Sequence, residues 1–344
     1  MAGFRTVVIQ SPCKLTYKDG FLIIRGDEVR TVHISELHTL ILDTTMVTLT
    51  GYLICELMHE KVNVIFCDEK RNPCGQVLPY AGSHDTAARM MAQANWSDAR
   101  KAALWQQIIQ QKILNQAGVM QEVSVEAARQ IAAFAESVTL GDATNREGHA
   151  AKVYFNRIFG KDFSRDLKSD RNAALNYGYS LLLSCFNKEV AARGYATQLG
   201  IHHRNAYNSF NLSCDLMEPF RFLVDEVVLH QGERTFDKEY KYELLDILNT
   251  EICYQQQKMY VSTAIARFVR NTTDCLDGQT EWTEGMMMHY EDASHESHRD
   301  VWFAGDNVGR ARRIRAIPQR PHQGRLSDDA GIGILQIGGQ CGVG

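Results

Sequence analysis

The chain has 344 residues with 37 Lys+Arg, 41 Asp+Glu and 12 His, a formal net charge of -4 and a hydrophobic fraction of 44%. That length suggests roughly two domains, each with its own core, and the mix excludes a disordered, collagen-like, coiled-coil or disulfide-scaffold chain as a whole. The slightly acidic total argues against a surface that grips a phosphate backbone everywhere, so any nucleic-acid site has to be a local basic patch.

In chain order, residues 4 to about 80 read as strands, at 4–9, 15–17, 21–24, 29–34, 39–42, 47–49 and 62–66. Lys18-Asp19-Gly20 between two of these runs is a hairpin signal, because Asp-Gly supplies the positive φ of a tight turn. One helix fits at 51–60, where Leu53, Leu57 and Met58 recur at helical spacing. Residues 74–84, with Pro79, Gly82 and Ser83, read as a linker. From Asp85 the period becomes 3.6, predicting helices within 86–115, 125–138, 146–158, 170–193, 215–230 and 239–270. The fold class predicted is α+β: a small, mostly β domain over 1–80 followed by a larger, all-helical domain over 81–290. The last 54 residues, 291–344, hold 9 of the 25 Gly, 7 Arg and no Lys, and predict a disordered tail of uncertain origin.

The nine cysteines are scattered with no C-x-x-C pair, which predicts core thiols in a reducing compartment and speaks against zinc. The opening Met-Ala-Gly-Phe-Arg-Thr lacks an apolar run of signal-peptide length, and no segment reaches the roughly 20 apolar residues of a membrane helix. A cytoplasmic location, away from membranes, is the expectation.

Candidate chemistry concentrates in two stretches. In the first, Gly200-Ile-His202-His203-Arg204 precedes Asp215-Leu-Met-Glu218-Pro219-Phe-Arg221. Pro219 predicts a helix starting near Asp215, whose i,i+3 spacing puts Asp215 and Glu218 on one face; a cap of Asp215 with Glu218 as its partner explains the pattern equally. In the second, Thr144-x-x-Glu147 matches a capping box, so Glu147 reads either as a helix-initiating residue or as a ligand. Two carboxylates and an imidazole from distant segments would suit Mg²⁺ or Mn²⁺ with open positions for phosphate oxygens. Between 146 and 171, Arg146, Lys152, Arg157, Lys161, Arg165, Lys168 and Arg171 outnumber four acids, a local balance of +3. That run reads as a solvated helix face or as a phosphate-binding surface. Tyr177 and Tyr179 read as core residues.

The β-then-helical layout, the run Asn172-Ala-Ala-Leu-Asn176-Tyr177-Gly178-Tyr179-Ser-Leu-Leu, the Gly200-x-x-His203 element and the Asp215-Leu-Met-Glu218-Pro-Phe-Arg221 element together resemble the CRISPR-associated adaptation integrase/endonuclease family, CRISPR-associated protein one, with members from type II systems most alike. The likeness spans about residues 1–290. It implies a catalytic metal triad of Glu147, His203 and Glu218, with Asp215 beside it as a further candidate ligand and Mg²⁺ or Mn²⁺ as the cofactor. It implies an integrase that joins the 3′-hydroxyl ends of short foreign DNA duplexes to the repeat of a CRISPR array by transesterification, with DNA endonuclease activity as the hydrolytic version. DNA contacts are expected from Arg146, Lys152, Arg157, Lys161, Arg165, Lys168, Arg171, Arg204 and Arg221. The partners implied are double-stranded DNA, a second copy through the β domain, the small CRISPR-associated protein two in a heterohexamer, and the type II effector nuclease with its ring-forming accessory protein. The alternative within enzymes is a structure-selective DNA nuclease, and from a different class a non-catalytic DNA-binding scaffold of the acquisition complex.

Overall fold

A computed structural model describes residues 5–80, 82–293 and 301–304. The N-terminal part alternates residues between two faces, as a pleated strand must. Strands β1 (Arg5–Ile9), β2 (Cys13–Lys18), β3 (Phe21–Arg25), β4 (Val29–His33), β5 (Leu37–Leu42) and β6 (Val47–Leu49) lead to helix α1 (Gly51–His59) and strands β7 (Asn63–Cys67) and β8 (Pro73–Val77). One sheet runs β4-β3-β2-β6, and its hairpin turn carries Asp19 and Gly20 at φ 50° and 86°, as their sequence predicts. The other has β1, β5 and β7 parallel with β8 antiparallel at one edge and β11 (Val301–Ala304) parallel to β1 at the other. Val7, Ile9, Leu40, Leu42 and Val64 face a core shared with the first sheet, while Val8, Ile41 and Ile65 face the helices.

Two expectations change here. Residues 74–77 are not linker but β8, because Gln76 donates from Nε2 to Asn63 Oδ1 at 2.6 Å and to the Ser184 carbonyl at 2.7 Å. The segment after 290 is not wholly outside the fold: Ala293 is buried and bridges Ile252, and β11 extends the sheet. The remainder of the predicted tail lies outside the described residues.

The helical part comprises α2 (Thr86–Ala94), α3 (Asp98–Gln121), α4 (Val125–Glu136), α5 (Arg146–Phe159), α6 (Asp170–Ala192), α7 (Asn211–Met217), α8 (Phe222–Gln231), α9 (Lys238–Asp246) and α10 (Val261–Leu276). Serine caps begin three of them: Ser97, Ser124 and Ser169 each accept the backbone N–H three residues on. The stretch 239–270 is not one helical run, since β9 (Glu251–Tyr254) and β10 (Gln257–Tyr260) form a hairpin between α9 and α10. Long α3 and α6 cross the centre and carry most of the core, including Trp105, Ile109, Ile113, Leu182 and Phe186. No helix among the described residues is long and apolar enough to cross a membrane.

The β part is fixed to the helices by polar as well as apolar contacts. Thr6 Oγ1 donates to Asn249 Oδ1 at 3.2 Å, and Lys241 Nζ donates to the carbonyls of Lys70 and Arg71 at 2.8 and 3.0 Å. The helical part therefore presents its central helices from a braced base.

Candidate active site

Three elements meet around α3. The first is the start of α5. There, the predicted Thr144–Glu147 capping box does not form: Asn145 is the N-cap, with φ 50°, and its Oδ1 accepts the Gly148 N–H at 3.1 Å. The carboxylate of Asp142 accepts the N–H groups of Arg146 and Glu147 at 2.8 and 3.0 Å. With Asn145 and Asp142 capping the helix in place of Thr144, the Glu147 side chain lies inward, 5% exposed.

The second element is α7 and the 3₁₀ turn Glu218–Phe220 that follows it. The helix starts at Asn211, not at Asp215, so Asp215 lies within it and caps something else. Its buried carboxylate accepts backbone N–H groups from Ile201, His202 and His203 at 2.6, 2.9 and 3.2 Å and contacts His203 Nδ1 at 2.5 Å. Gly200 is required by this approach: a Cβ there would stand 2.4 Å from the His203 carbonyl oxygen and 2.7 Å from Asp215 Oδ2. His203 is thus held by its own loop and by Asp215, while Trp105 of α3 stacks on His202 at 4.4 Å between centroids and meets His203 edge-on at 5.6 Å. Pro219, early in the 3₁₀ turn, fits the first-turn position its sequence predicts.

The third element is α3 itself, through a residue that pattern reasoning passes over. The ammonium of buried Lys112 lies 2.5 Å from Glu147 Oε1 and 2.6 Å from Glu218 Oε2. Arg221 takes the other oxygen of Glu218 at 2.9 Å. The signal that could have found Lys112 is its place on the stripe Ile108, Ile109, Ile113, where a lysine amid buried apolar positions needs a partner.

The structure therefore brings Glu147 and Glu218 onto one cation and sets His203 beside them on Asp215. Burial would push the Glu218 carboxyl up, but Arg221, Lys112 and His203 outweigh it and hold it at about 2. Burial likewise disfavours charge on Lys112, and the two glutamates reverse this and raise its pKa. For His203, burial lowers and the Asp215 carboxylate raises, with a net upward shift; His202 is lowered by burial and by the charge on His203.

The donor set of two buried carboxylates and an imidazole fits a hard divalent cation. A further sign of fit is that both oxygens of the buried Glu218 face cationic nitrogens, Lys112 at 2.6 Å and Arg221 at 2.9 Å. With Lys112 between the carboxylates, Glu147, His203 and Glu218 are not gathered to ligand spacing: among the described residues the one group of three whose ligand atoms lie within 4.8 Å of one another is Glu122, Glu226 and His230.

The expected DNA-contacting cations divide by environment. Lys152, Arg157, Lys168 and Arg204 are exposed, and Arg146 and Lys161 are half-buried. Arg165 donates to Asn172 Oδ1 and Asn176 Oδ1 at 2.9 and 2.5 Å, Arg171 lies 4.7 Å over the Phe159 ring, and buried Arg221 pairs with Glu218. Tyr177 and Tyr179 are buried, as expected.

The family model described as CRISPR associated protein Cas1 matches residues 6–245. The chain belongs to the Cas1 family. It is 35% identical over 273 residues to the CRISPR-associated endonuclease Cas1 of Neisseria meningitidis serogroup C (strain 8013), covering 77% of this chain and 90% of that Cas1. Among solved structures, a casposase bound to an integration product superposes with a TM-score of 0.65 at 19% identity, over 86% of this chain and 95% of the casposase. A Cas6-RT-Cas1–Cas2 complex gives a TM-score of 0.64 at 17% identity over 85% of this chain, which spans 36% of that longer chain. These two structures share the Cas1 fold with this chain, and the Neisseria relative agrees with the type II likeness seen in the sequence.

Proposed function

We propose that the chain is a metal-dependent DNA integrase of CRISPR adaptation, joining 3′-hydroxyl ends of short DNA duplexes to an array repeat by transesterification, and that Glu147, His203 and Glu218 are its catalytic metal triad. The observation that carries this reading is the convergence of two buried carboxylates from separate helices on a single cation, beside a histidine anchored by Asp215. Family membership supports the reading, as do the endonuclease name of the Neisseria relative and the integration product held by the casposase.

Glu147, Glu218 and His203 would hold Mg²⁺ or Mn²⁺, which supplies Lewis-acid stabilisation of charge on a phosphate and a lowered pKa for an attacking hydroxyl. The chain's own contributions follow from the geometry. Asp215 fixes the His203 ring through Nδ1, leaving Nε2 to bind or to move a proton. Arg221 keeps Glu218 ionised, and Trp105 fixes the 200–204 loop from below. In joining, the attacking 3′ oxygen forms a bond to phosphorus as the bond to the leaving 3′ oxygen breaks, and the proton of the attacking hydroxyl passes to solvent or His203 while the leaving oxygen gains one. With water as the attacker the same site nicks DNA.

Lys152, Arg157, Lys168 and Arg204, exposed in the structure, are the phosphate contacts of first choice within the predicted set. The 1–80 unit serves as the dimerising domain, 81–290 as the catalytic one, and a Cas2-type partner bridges dimers into a heterohexamer, to which the type II effector nuclease and its accessory protein attach. The Cas6-RT-Cas1–Cas2 assembly supports a partner of that kind for this fold.

The test uses purified protein with its small partner, Mn²⁺ or Mg²⁺, a short duplex and a supercoiled plasmid bearing a repeat. Glu147→Gln and His203→Ala are expected to cut joining and nicking at least about a hundredfold, the scale on which an electrostatic or proton-transfer group matters. Unchanged joining in either variant overturns the triad; nicking without joining in the unaltered protein would favour the nuclease reading.

A further inference from the structure

Lys112 is not part of the triad, yet it occupies the position the triad's carboxylates define. We propose that Lys112 is the site's resident counter-cation: it holds Glu147 and Glu218 together when no metal is bound, and it competes with the metal for the same two oxygens, so loading requires its ammonium to move off them. This rests on the metal reading of Glu147 and Glu218 given above.

Geometry carries the competition. The ammonium is nearly equidistant from Glu147 Oε1 and Glu218 Oε2, at 2.5 and 2.6 Å, and a divalent ion bound by both oxygens at about 2.0–2.4 Å would need the same space. A unit charge and a double charge cannot share it. Burial makes the holding role necessary: Glu147 and Glu218 are 5% and 1% exposed, and two carboxylates turned toward one point repel without a cation between them.

The backbone of α3 is not free to make the shift. Asn115, one turn beyond Lys112, donates from Nδ2 to the carbonyl of Pro219 at 2.8 Å and to that of Met288 at 2.8 Å, which fixes α3 against the residue following Glu218. The displacement therefore falls to the lysine's four-carbon stem, a flexible chain suited to it. Arg221 stays on Glu218 throughout, so that carboxylate keeps a partner while the ammonium leaves. Metal loading becomes an exchange of cations, the ammonium leaving the two carboxylate oxygens as the divalent ion takes them.

The test compares the full-length protein with Lys112→Met, a neutral side chain of similar length, by Mn²⁺ titration calorimetry and by thermal unfolding in EDTA and in Mn²⁺. The variant is expected to bind Mn²⁺ about tenfold more tightly, to melt several degrees lower in EDTA, and to gain more from Mn²⁺ than the unaltered protein does. A folded K112M that binds Mn²⁺ equally or more weakly overturns the proposal and leaves the metal reading standing. Absence of Mn²⁺ binding in both proteins overturns the metal reading and this inference with it. If K112M does not fold, anomalous diffraction from unaltered crystals in Mn²⁺ decides: Mn²⁺ between the carboxylates with Nζ withdrawn from at least one of them is expected, and an unmoved Nζ with Mn²⁺ bound elsewhere overturns the proposal.

Discussion

Asp215 and Glu218 stand three residues apart, and the fold sends them to different tasks: one anchors a loop and its histidine, the other faces cations. Spacing put both on one face but could not separate the tasks, because a capping box and a ligand pair look identical until the backbone donors are assigned. The same ambiguity at Glu147 is resolved by Asp142, which takes the Glu147 N–H that the Thr144 hydroxyl would have taken in a capping box. Lys112 was legible only as a lysine in an apolar stripe, and its partners lie 35 and 106 positions away in the chain. Asp225 shows what a buried acid costs. It is 1% exposed, accepts a hydrogen bond from the Tyr179 hydroxyl, and burial lifts its pKa to about 6 from an ordinary 3.8. A folded-state pKa above the unfolded one contributes stability in full below pH 3.8, and that contribution is lost as pH rises through 6. Asp225→Asn keeps an acceptor for Tyr179 and removes the titration. The stability of the variant relative to the unaltered protein is therefore expected to rise between pH 4 and 6.5, by on the order of 2–3 kcal/mol in urea unfolding. Curves that stay parallel across that window would contradict the assignment.

At the scale of elements, β1 to β7 were legible because their runs are short, rich in apolar and β-branched residues and bounded by turn residues, and most helices because apolar residues recur at 3.6. The misses have physical causes. The β9–β10 hairpin turns on Gln255 and Gln256 at φ 52° and 59°, residues that give no turn signal in a stretch otherwise helical in composition. Strand β8 exists through its pairing to β7 and the hydrogen bonds of Gln76, not through any propensity of Pro-Cys-Gly-Gln-Val. Residues 282–293 form a strap over α3: Met287 and Met288 are buried and the Tyr290 hydroxyl donates to Glu122 at 2.8 Å. Gly118 admits that ring, since a Cβ there would stand 2.4 Å from Tyr290 Cγ. Through Asn115 the strap and the Glu218 turn share one side-chain amide. A chain ending at residue 279 is expected to lose about 4 kcal/mol or more of stability, with the two methionines supplying about 1.5–3 kcal/mol each, whereas one ending at 304 keeps its urea midpoint and its joining activity. Equal midpoints for the two truncations would contradict a structural role for the strap.

For the whole molecule, the net charge of -4 says little about partners, because charge is placed and not merely counted. Several carboxylates are internal, balanced by Lys112, Arg221 and Arg89, while Lys152, Arg157 and Lys168 are exposed. The order of β unit before helical unit was visible in the sequence. That the two are braced through Asn63, Gln76 and Ser184 was not, since no local pattern encodes a contact more than a hundred positions long. The central claim is that this scaffold joins DNA through a 3′-hydroxyl. The direct measurement incubates the protein, its small partner and Mn²⁺ with a repeat-bearing supercoiled plasmid and a short duplex carrying either 3′-hydroxyl or 3′-dideoxy ends. Covalent duplex–plasmid product from the hydroxyl ends and none from the dideoxy ends is the predicted result; equal product from both, or plasmid nicking with no joined product, would contradict it.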